Sequence, residues 1–276
     1  MQGRLGPPVG ENFQSFPTGR WADEFPRAAE AGLACIEWIY DAFGAEENPL
    51  ATDAGVAKMR ALSEQHGVEV RSLCADYFMD RPFLRCGAAE RDARAETFRW
   101  MLGRCRALPI NRVVIPFVDA SRIENAAETD HVVAIFESLL PAAEDTGIEL
   151  HLESSLPPAE IAALLARLPH PLVKMNYDSG NSSSLGYAVG EEWAAYGGRI
   201  GSVHVKDRVR GGGTVPLGTG DADLPALFTE MRRAGYGREL ILQVARGTAG
   251  DEVPWAQVNR RYVEALGGAP DFAPAP

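Results

Sequence analysis

The stretch "AEDTGIELHLES", residues 143–154, changes character at its middle. Up to Thr146 it is polar and Ala-rich, the tail of a helical pattern. From Ile148 it is a short run in which Ile148, Leu150 and Leu152 alternate with Glu149, His151 and Glu153. Gly147 stands at the change. A glycine just past a helix takes positive φ without a Cβ clash, so it closes the helix and starts the next strand. The same form recurs in "AEAGLACIEW" (29–38), "SEQHGVEVRSL" (63–73) and "RRAGYGRELIL" (232–242). A single joint of this kind is local; repeated along the chain, it marks an alternation of helix and strand.

Filling the gaps predicts strands at 2–5, 34–40, 68–76, 112–117, 148–153, 172–178, 202–207 and 240–245. Helices are predicted at 19–31, 52–66, 89–107, 125–145, 157–168, 189–197, 222–235 and 254–266. Ser155 or Leu156 before Pro157–Pro158, Asp221 or Asp223 before "LPALF", and Pro254 supply helix starts. Strands that each precede a helix imply a parallel sheet. With 276 residues and 46% hydrophobic content, the expected fold is α/β, a (β/α)8 TIM barrel forming a single domain over residues 1–266. Residues 267–276, "GGAPDFAPAP", read as a flexible C-terminal tail. An open doubly wound sheet is the competing arrangement, but no G-x-G-x-x-G follows a strand.

The net charge of −11 disfavours a nucleic-acid partner. No apolar run reaches about 18 residues and the N-terminus has no apolar core segment, so neither a membrane span nor an export signal is expected. The cysteines, Cys35, Cys74, Cys86 and Cys105, form no C-x-x-C pair, which argues against structural zinc and a disulfide framework and fits a cytoplasmic location.

In such a barrel the active site lies at the C-terminal ends of the strands. Those ends carry Glu37, Asp76, Glu153, Asp178, His204 and Gln243. A lone strand-end carboxylate is equally well an N-cap or a solvated loop residue. Glu153, Asp178 and His204 end consecutive strands beside apolar runs, and polar groups gathered at a dry mouth are costly unless paired or metal-bound. Two carboxylates and an imidazole suit one divalent ion: manganese foremost, with magnesium, cobalt or zinc as alternatives. His66 and His170 precede strands, at the opposite end of the barrel. His131 lies on a helix, and His151 reads as a packed core histidine below the site.

The motifs "HLES", "YDSGN", "VHVKDR", "GTGDADL" and "LILQVARG", with the opening "QGRLGP", resemble the xylose isomerase-like superfamily of sugar and sugar-phosphate isomerases and epimerases. The resemblance extends to the tagatose-type 3-epimerases and pentulose-phosphate 3-epimerases and covers nearly the whole chain. It implies Glu153, Asp178 and His204 as metal ligands, with Glu153 also the proton-transfer base. Lys206 matches the lysine of the histidine motif and joins Glu153 and Gln243 at the catalytic positions. Glu37 matches an acid that meets substrate hydroxyls, and Asp76, Asn181, Arg208 and Arg246 are the other expected substrate contacts. The implied partner is a small carbohydrate, phosphorylated and acidic sugars included; a homo-oligomer is left open.

The family usually has a glutamate where this chain has Gln243. An amide oxygen still ligates a metal, so Gln243 is the expected fourth ligand, but it takes no proton at neutral pH. A metal on the carbonyl and adjacent hydroxyl of a ketose acidifies the intervening C–H by stabilising the enediolate. Epimerisation by two bases needs a group on each face, whereas aldose–ketose isomerisation needs one. Glu153 as the sole base favours the latter, with dehydration or β-elimination also open and Asp207 or Glu37 as candidates for a second face. Arg4, Arg208, Arg210 and Arg246 near the mouth suggest an anionic substrate group. A non-catalytic sugar-binding barrel is the alternative outside enzymology. An endonuclease-IV-like nuclease would need more histidines at strand ends.

Overall fold

The structure is a computed structural model and describes residues 1–10 and 14–268. The glycine joints behave as read. Gly67, Gly147 and Gly235 follow helix ends directly at φ of 65°, 70° and 65°, and Gly32, at φ 72°, follows one residue after its helix end.

The chain runs α1 (Glu24–Glu30), β1 (Cys35–Ile39), α2 (Asp53–His66), β2 (Glu69–Cys74), α3 (Tyr77–Asp80), α4 (Ala88–Cys105) and β3 (Arg112–Phe117). It continues through α5 (Ala126–Thr146), β4 (Glu149–Ser154), α6 (Pro158–Arg167), β5 (Val173–Asp178), α7 (Ser179–Leu185), α8 (Val189–Tyr196) and β6 (Ile200–Val205). The hairpin strands β7 (Asp207–Arg208) and β8 (Thr214–Val215) follow, then α9 (Leu224–Ala234), β9 (Leu240–Leu242) and α10 (Glu252–Gly267).

The main sheet has the order β1-β2-β3-β4-β5-β6-β9, with every neighbouring pair parallel. The N-terminus fills the eighth position. Gln2 makes a parallel bridge to Glu37, its N–H donates to Leu242 O at 3.2 Å, and Glu37 N–H donates to Met1 O at 3.1 Å. The expected strand at 2–5 therefore contracts to a bridge at Gln2. Gly3 takes φ 56°, which ends extended backbone at once, and a Cβ there would meet Ile39 Cδ1 at 2.4 Å. The barrel is the (β/α)8 fold expected, closed by a bridge in place of a full strand.

Two other boundaries move. The strand predicted to run through 207 ends at Val205, and Asp207–Arg208 instead pairs antiparallel with Thr214–Val215. The strand predicted through 245 ends at Leu242, although Gln243 N–H still donates to Val205 O at 3.0 Å. Leu150, Leu152, Val203 and Val205 are fully buried parts of one hydrophobic core. Of the expected tail, residues 269–276 lie outside the described residues.

Candidate active site and metal centre

Asp178 and His204 are direct register partners on β5 and β6, and Glu153 lies near the end of β4. One ligand atom from each of the three falls within 4.8 Å of the others. His204 Nδ1 is 3.7 Å from Glu153 Oε2 and 3.8 Å from Asp178 Oδ2. Donors about 2.1 Å from a tetrahedral ion stand roughly 3.4 Å apart, so a small divalent cation fits once the donors draw together.

Local structure orients each side chain. Asp178 is the N-cap of α7, with Oδ1 accepting from Asn181 N–H at 2.8 Å, which turns Oδ2 toward His204. Glu153 is held at both oxygens: Asn176 Nδ2 donates to Oε2 at 3.0 Å and Asn181 Nδ2 to Oε1 at 2.8 Å. Asn176 Nδ2 also lies 3.1 Å from His204 Nδ1, and its oxygen accepts from Ser202 Oγ at 2.6 Å. On the far side of the imidazole, Nε2 is 2.8 Å from Glu37 Oε1, and neither atom has another partner among the described residues. Ser72 Oγ donates to the second Glu37 oxygen at 2.8 Å. A carboxylate behind a histidine fixes the ring and its tautomer, leaving the other nitrogen for a metal.

The electrostatics favour a cation here. Burial pushes the His204 imidazole down, but the carboxylates of Glu37, Asp178 and Glu153 outweigh it and raise its pKa to about 10. A divalent ion on Nδ1 would bring the carboxylates at least the positive charge that this proton does. Burial raises Glu153 to about 7, against the lowering pull of His204 and with Asp178 adding to the rise. Burial also pushes Asp178 upward, yet Lys206 and His204 hold it well below the usual carboxylate range.

Glu153, Asn181, Lys206 and Gln243 open onto a cavity of about 630 Å3, and Asp76 and Arg208 also line it. Lys206 Nζ donates to Gln243 Oε1 at 2.7 Å and lies 3.4 Å from both Asp178 Oδ2 and Asn181 Oδ1. Gly180 makes room for this lysine, since a Cβ there would meet Lys206 Cγ at 2.6 Å. Asp76 accepts from Gln14 Nε2 at 2.7 Å and Cys74 Sγ at 3.1 Å, and burial raises its pKa.

The sequence pattern of the family described as xylose isomerase-like TIM barrel matches residues 25–266. The chain belongs to that family. No curated protein matches it. Among solved structures it is similar to L-ribulose 3-epimerase, with a TM-score of 0.76 and 16% identity over 93% of this chain and 92% of that one. It is also similar to D-psicose 3-epimerase solved in the presence of D-fructose, with a TM-score of 0.74 and 17% identity over 93% and 97% of the two chains. A third is a protein named IOLI with a zinc atom, with a TM-score of 0.74 and 17% identity over 92% and 94%. At these identities the likeness is one of fold.

Within this xylose isomerase-like barrel, several expected residues stand elsewhere than the sequence suggested. Glu37, the expected contact to substrate hydroxyls, is completely buried against His204 and is not among the residues lining the cavity, so it stands behind a candidate ligand. Gln243 has its oxygen on Lys206 and its Nε2 on Gln2 Oε1 at 2.6 Å, so both ends of the expected fourth ligand are engaged within the protein. Arg246 does not line the main cavity; its guanidinium clamps the N-terminal segment through Gly6 O and Gly3 O, each at 2.9 Å. Arg208 reaches the cavity edge, but its nitrogens bond Asn181 Oδ1 at 2.9 Å and Gly212 O at 3.0 and 2.8 Å. Asp207 is fully buried and accepts from the N–H groups of Gly218, Gly220 and Ala222 at 2.9, 2.9 and 3.0 Å. Its oxygens are therefore spent on shaping a loop. His151 sits in the core as expected, contacting Ser202 Oγ at 2.7 Å and Glu149 Oε2 at 2.9 Å.

Asn176, Gln14 and Asp41 were not singled out from the sequence. Asn176 had a signal, since it lies two residues before Asp178 and so shares its face of the strand. Gln14 had none, because it comes from a loop.

Proposed function

We propose that this protein is a divalent-metal-dependent sugar isomerase that moves a proton between a carbonyl carbon and the hydroxyl-bearing carbon next to it, with Glu153 as the base. The observation that carries the reading is the buried convergence of Glu153, Asp178 and His204 on neighbouring strands beside a cavity of about 630 Å3. The printed names of the structural neighbours, two of them sugar 3-epimerases, support a carbohydrate substrate. The zinc atom bound by a third supports a metal ion here, though manganese, magnesium and cobalt suit the same donors.

Glu153, Asp178 Oδ2 and His204 Nδ1 would hold the ion. When bound, it polarises the substrate carbonyl and makes the adjacent C–H more acidic. Glu153 combines two properties of a general base: it faces the cavity, and its carboxylate is oriented by Asn176 and Asn181. Proton removal from one carbon and return to its neighbour is a one-face transfer that a single carboxylate can perform.

Two observations favour isomerisation over two-base epimerisation. The position that would supply the second carboxylate is Gln243, and the other candidates, Glu37 and Asp207, are withdrawn into the protein. Lys206 gives a second reading some support. Its ammonium on the cavity wall is placed to protonate a departing hydroxyl, so loss of water after proton abstraction by Glu153 is the competing chemistry.

The test is to incubate metal-loaded protein with a panel of aldoses and ketoses in D2O. Deuterium should enter at the carbon next to the carbonyl together with aldose–ketose interconversion, and Glu153→Gln should remove both by a factor of about 10²–10⁴. Interconversion unimpaired by Glu153→Gln would refute the assignment.

A further inference from the structure

The two halves of the cavity mouth differ in chemistry. The half formed by β4, β5, β6 and β9 carries Glu153, Asn181, Lys206 and Gln243. The half formed by the segments after β1, β2 and β3 carries Asp41, Phe43, Asp76, Asp80 and Asp119, with no basic side chain among its lining residues. The proposed chemistry uses the first half and leaves the second without a task.

The cavity is also large for one sugar. Each CH2O unit takes up roughly the 30 Å3 of a water in the liquid, so a hexose fills about 180 Å3. The cavity of about 630 Å3 exceeds that severalfold. Phe43 lines it with half its surface exposed, the one aromatic ring among the described residues lining the cavity. The C–H face of a pyranose packs on such a ring, because the ring's face is electron-rich. Asp41, at 6% exposure, turns one oxygen to Phe16 N–H at 2.7 Å while its Oδ1 has no hydrogen-bond partner. A buried carboxylate oxygen without a donor is costly, and a turn of the Asp41 carboxyl toward a hydroxyl bound in the cavity would relieve that cost.

We infer that the substrate carries a second, uncharged sugar unit, held in a distal subsite by Phe43 as a stacking platform and by Asp41 and Asp80 as hydroxyl acceptors. This rests on the reading of the Glu153 side as the reacting centre. A phosphate in the distal half would meet four aspartates and no basic side chain among the described residues, and Arg208 and Arg246 are bonded to oxygens of the protein itself, so a phosphorylated or acidic sugar is disfavoured there. Burial raises the Asp41 carboxyl to about 6, with Asp76 and Asp80 adding to the rise, as crowding of like charges on this wall requires.

The test is calorimetric titration of the metal-loaded protein with maltose, lactose, cellobiose and sucrose, and separately with glucose, galactose, fructose and glucose 6-phosphate. At least one disaccharide should bind about tenfold more tightly than either of its component sugars, and glucose 6-phosphate should bind no better than glucose. Phe43→Ala should cost that disaccharide about tenfold and its component sugars less than twofold; Asp41→Asn should act in the same direction. Disaccharides that bind no better than monosaccharides, or a Phe43→Ala effect equal on both, would overturn the subsite. A disaccharide preference that disappears in Phe43→Ala, in a protein that turns over no sugar, would uphold the subsite and remove the proposed chemistry. Monosaccharide isomerisation without any disaccharide preference would do the reverse.

Discussion

Replacing Glu37 by glutamine separates the sequence's reading of that residue from the structure's. In the structure Glu37 Oε1 is 2.8 Å from His204 Nε2, and its other oxygen is held by Ser72. A metal on Nδ1 would lie about 7 Å from the Glu37 charge, and at an effective dielectric constant of about 20 a unit charge there acts on a divalent ion with at most about 5 kcal/mol. Glutamine keeps the shape, the Ser72 contact and an oxygen that can face Nε2–H, so much of that value survives the change. Losses of a carboxylate behind a metal-binding histidine are typically 10–100-fold in affinity, about 1.4–2.7 kcal/mol, and that is the range expected for Glu37→Gln. The assay is competition for Zn²⁺ against a chromophoric chelator at pH 7, with thermal unfolding as a check that the barrel is intact. Affinity within twofold of the unaltered protein would refute the reasoning. A tenfold rise in KM with metal affinity unchanged would put Glu37 at the substrate, as its strand-end position first suggested.

Two further outcomes follow from the buried charges. In the metal-free protein at pH 7 the His204 imidazole, raised to about 10, is protonated, and Glu153, raised to about 7, is roughly half protonated. Metal binding should release about 1–1.5 protons at pH 7, the Glu153 share fading above pH 7 and the His204 share only as pH approaches 10; titration calorimetry in buffers of different ionisation enthalpy reads this, and no release at pH 7 would contradict it. Asp207→Ala strands the N–H groups of Gly218, Gly220 and Ala222 and should cost about 3–5 kcal/mol in urea unfolding, so a loss under about 1 kcal/mol would show that the loop does not depend on it.

The repeating joint around Gly147 was enough to specify the barrel, because glycine at a helix end and a short apolar run after it are both local signals. What failed was the depth of side chains along a strand. Glu37 reads as a strand-end acid, but its side chain lies against His204 inside the barrel, and of the acids on this segment it is Asp41, past the end of β1, that lines the cavity. The charges of Arg208 and Arg246 were plain in the sequence, whereas their partners are backbone carbonyls brought close only by the fold. The same holds for Gln2: its distance of 241 residues from Gln243 vanishes only when the barrel closes. The ligand trio was legible because Glu153, Asp178 and His204 end adjacent strands, and adjacency in a parallel barrel follows from chain order.

The central claim is that Glu153, Asp178 and His204 hold one divalent ion. A crystal structure of the protein grown with Mn²⁺ or Zn²⁺, with anomalous data at the metal's absorption edge, tests it most directly. The account predicts one peak within about 2.0–2.3 Å of a Glu153 carboxylate oxygen, Asp178 Oδ2 and His204 Nδ1. A fully loaded crystal with no peak between these three atoms, or with the ion bound elsewhere, would contradict it.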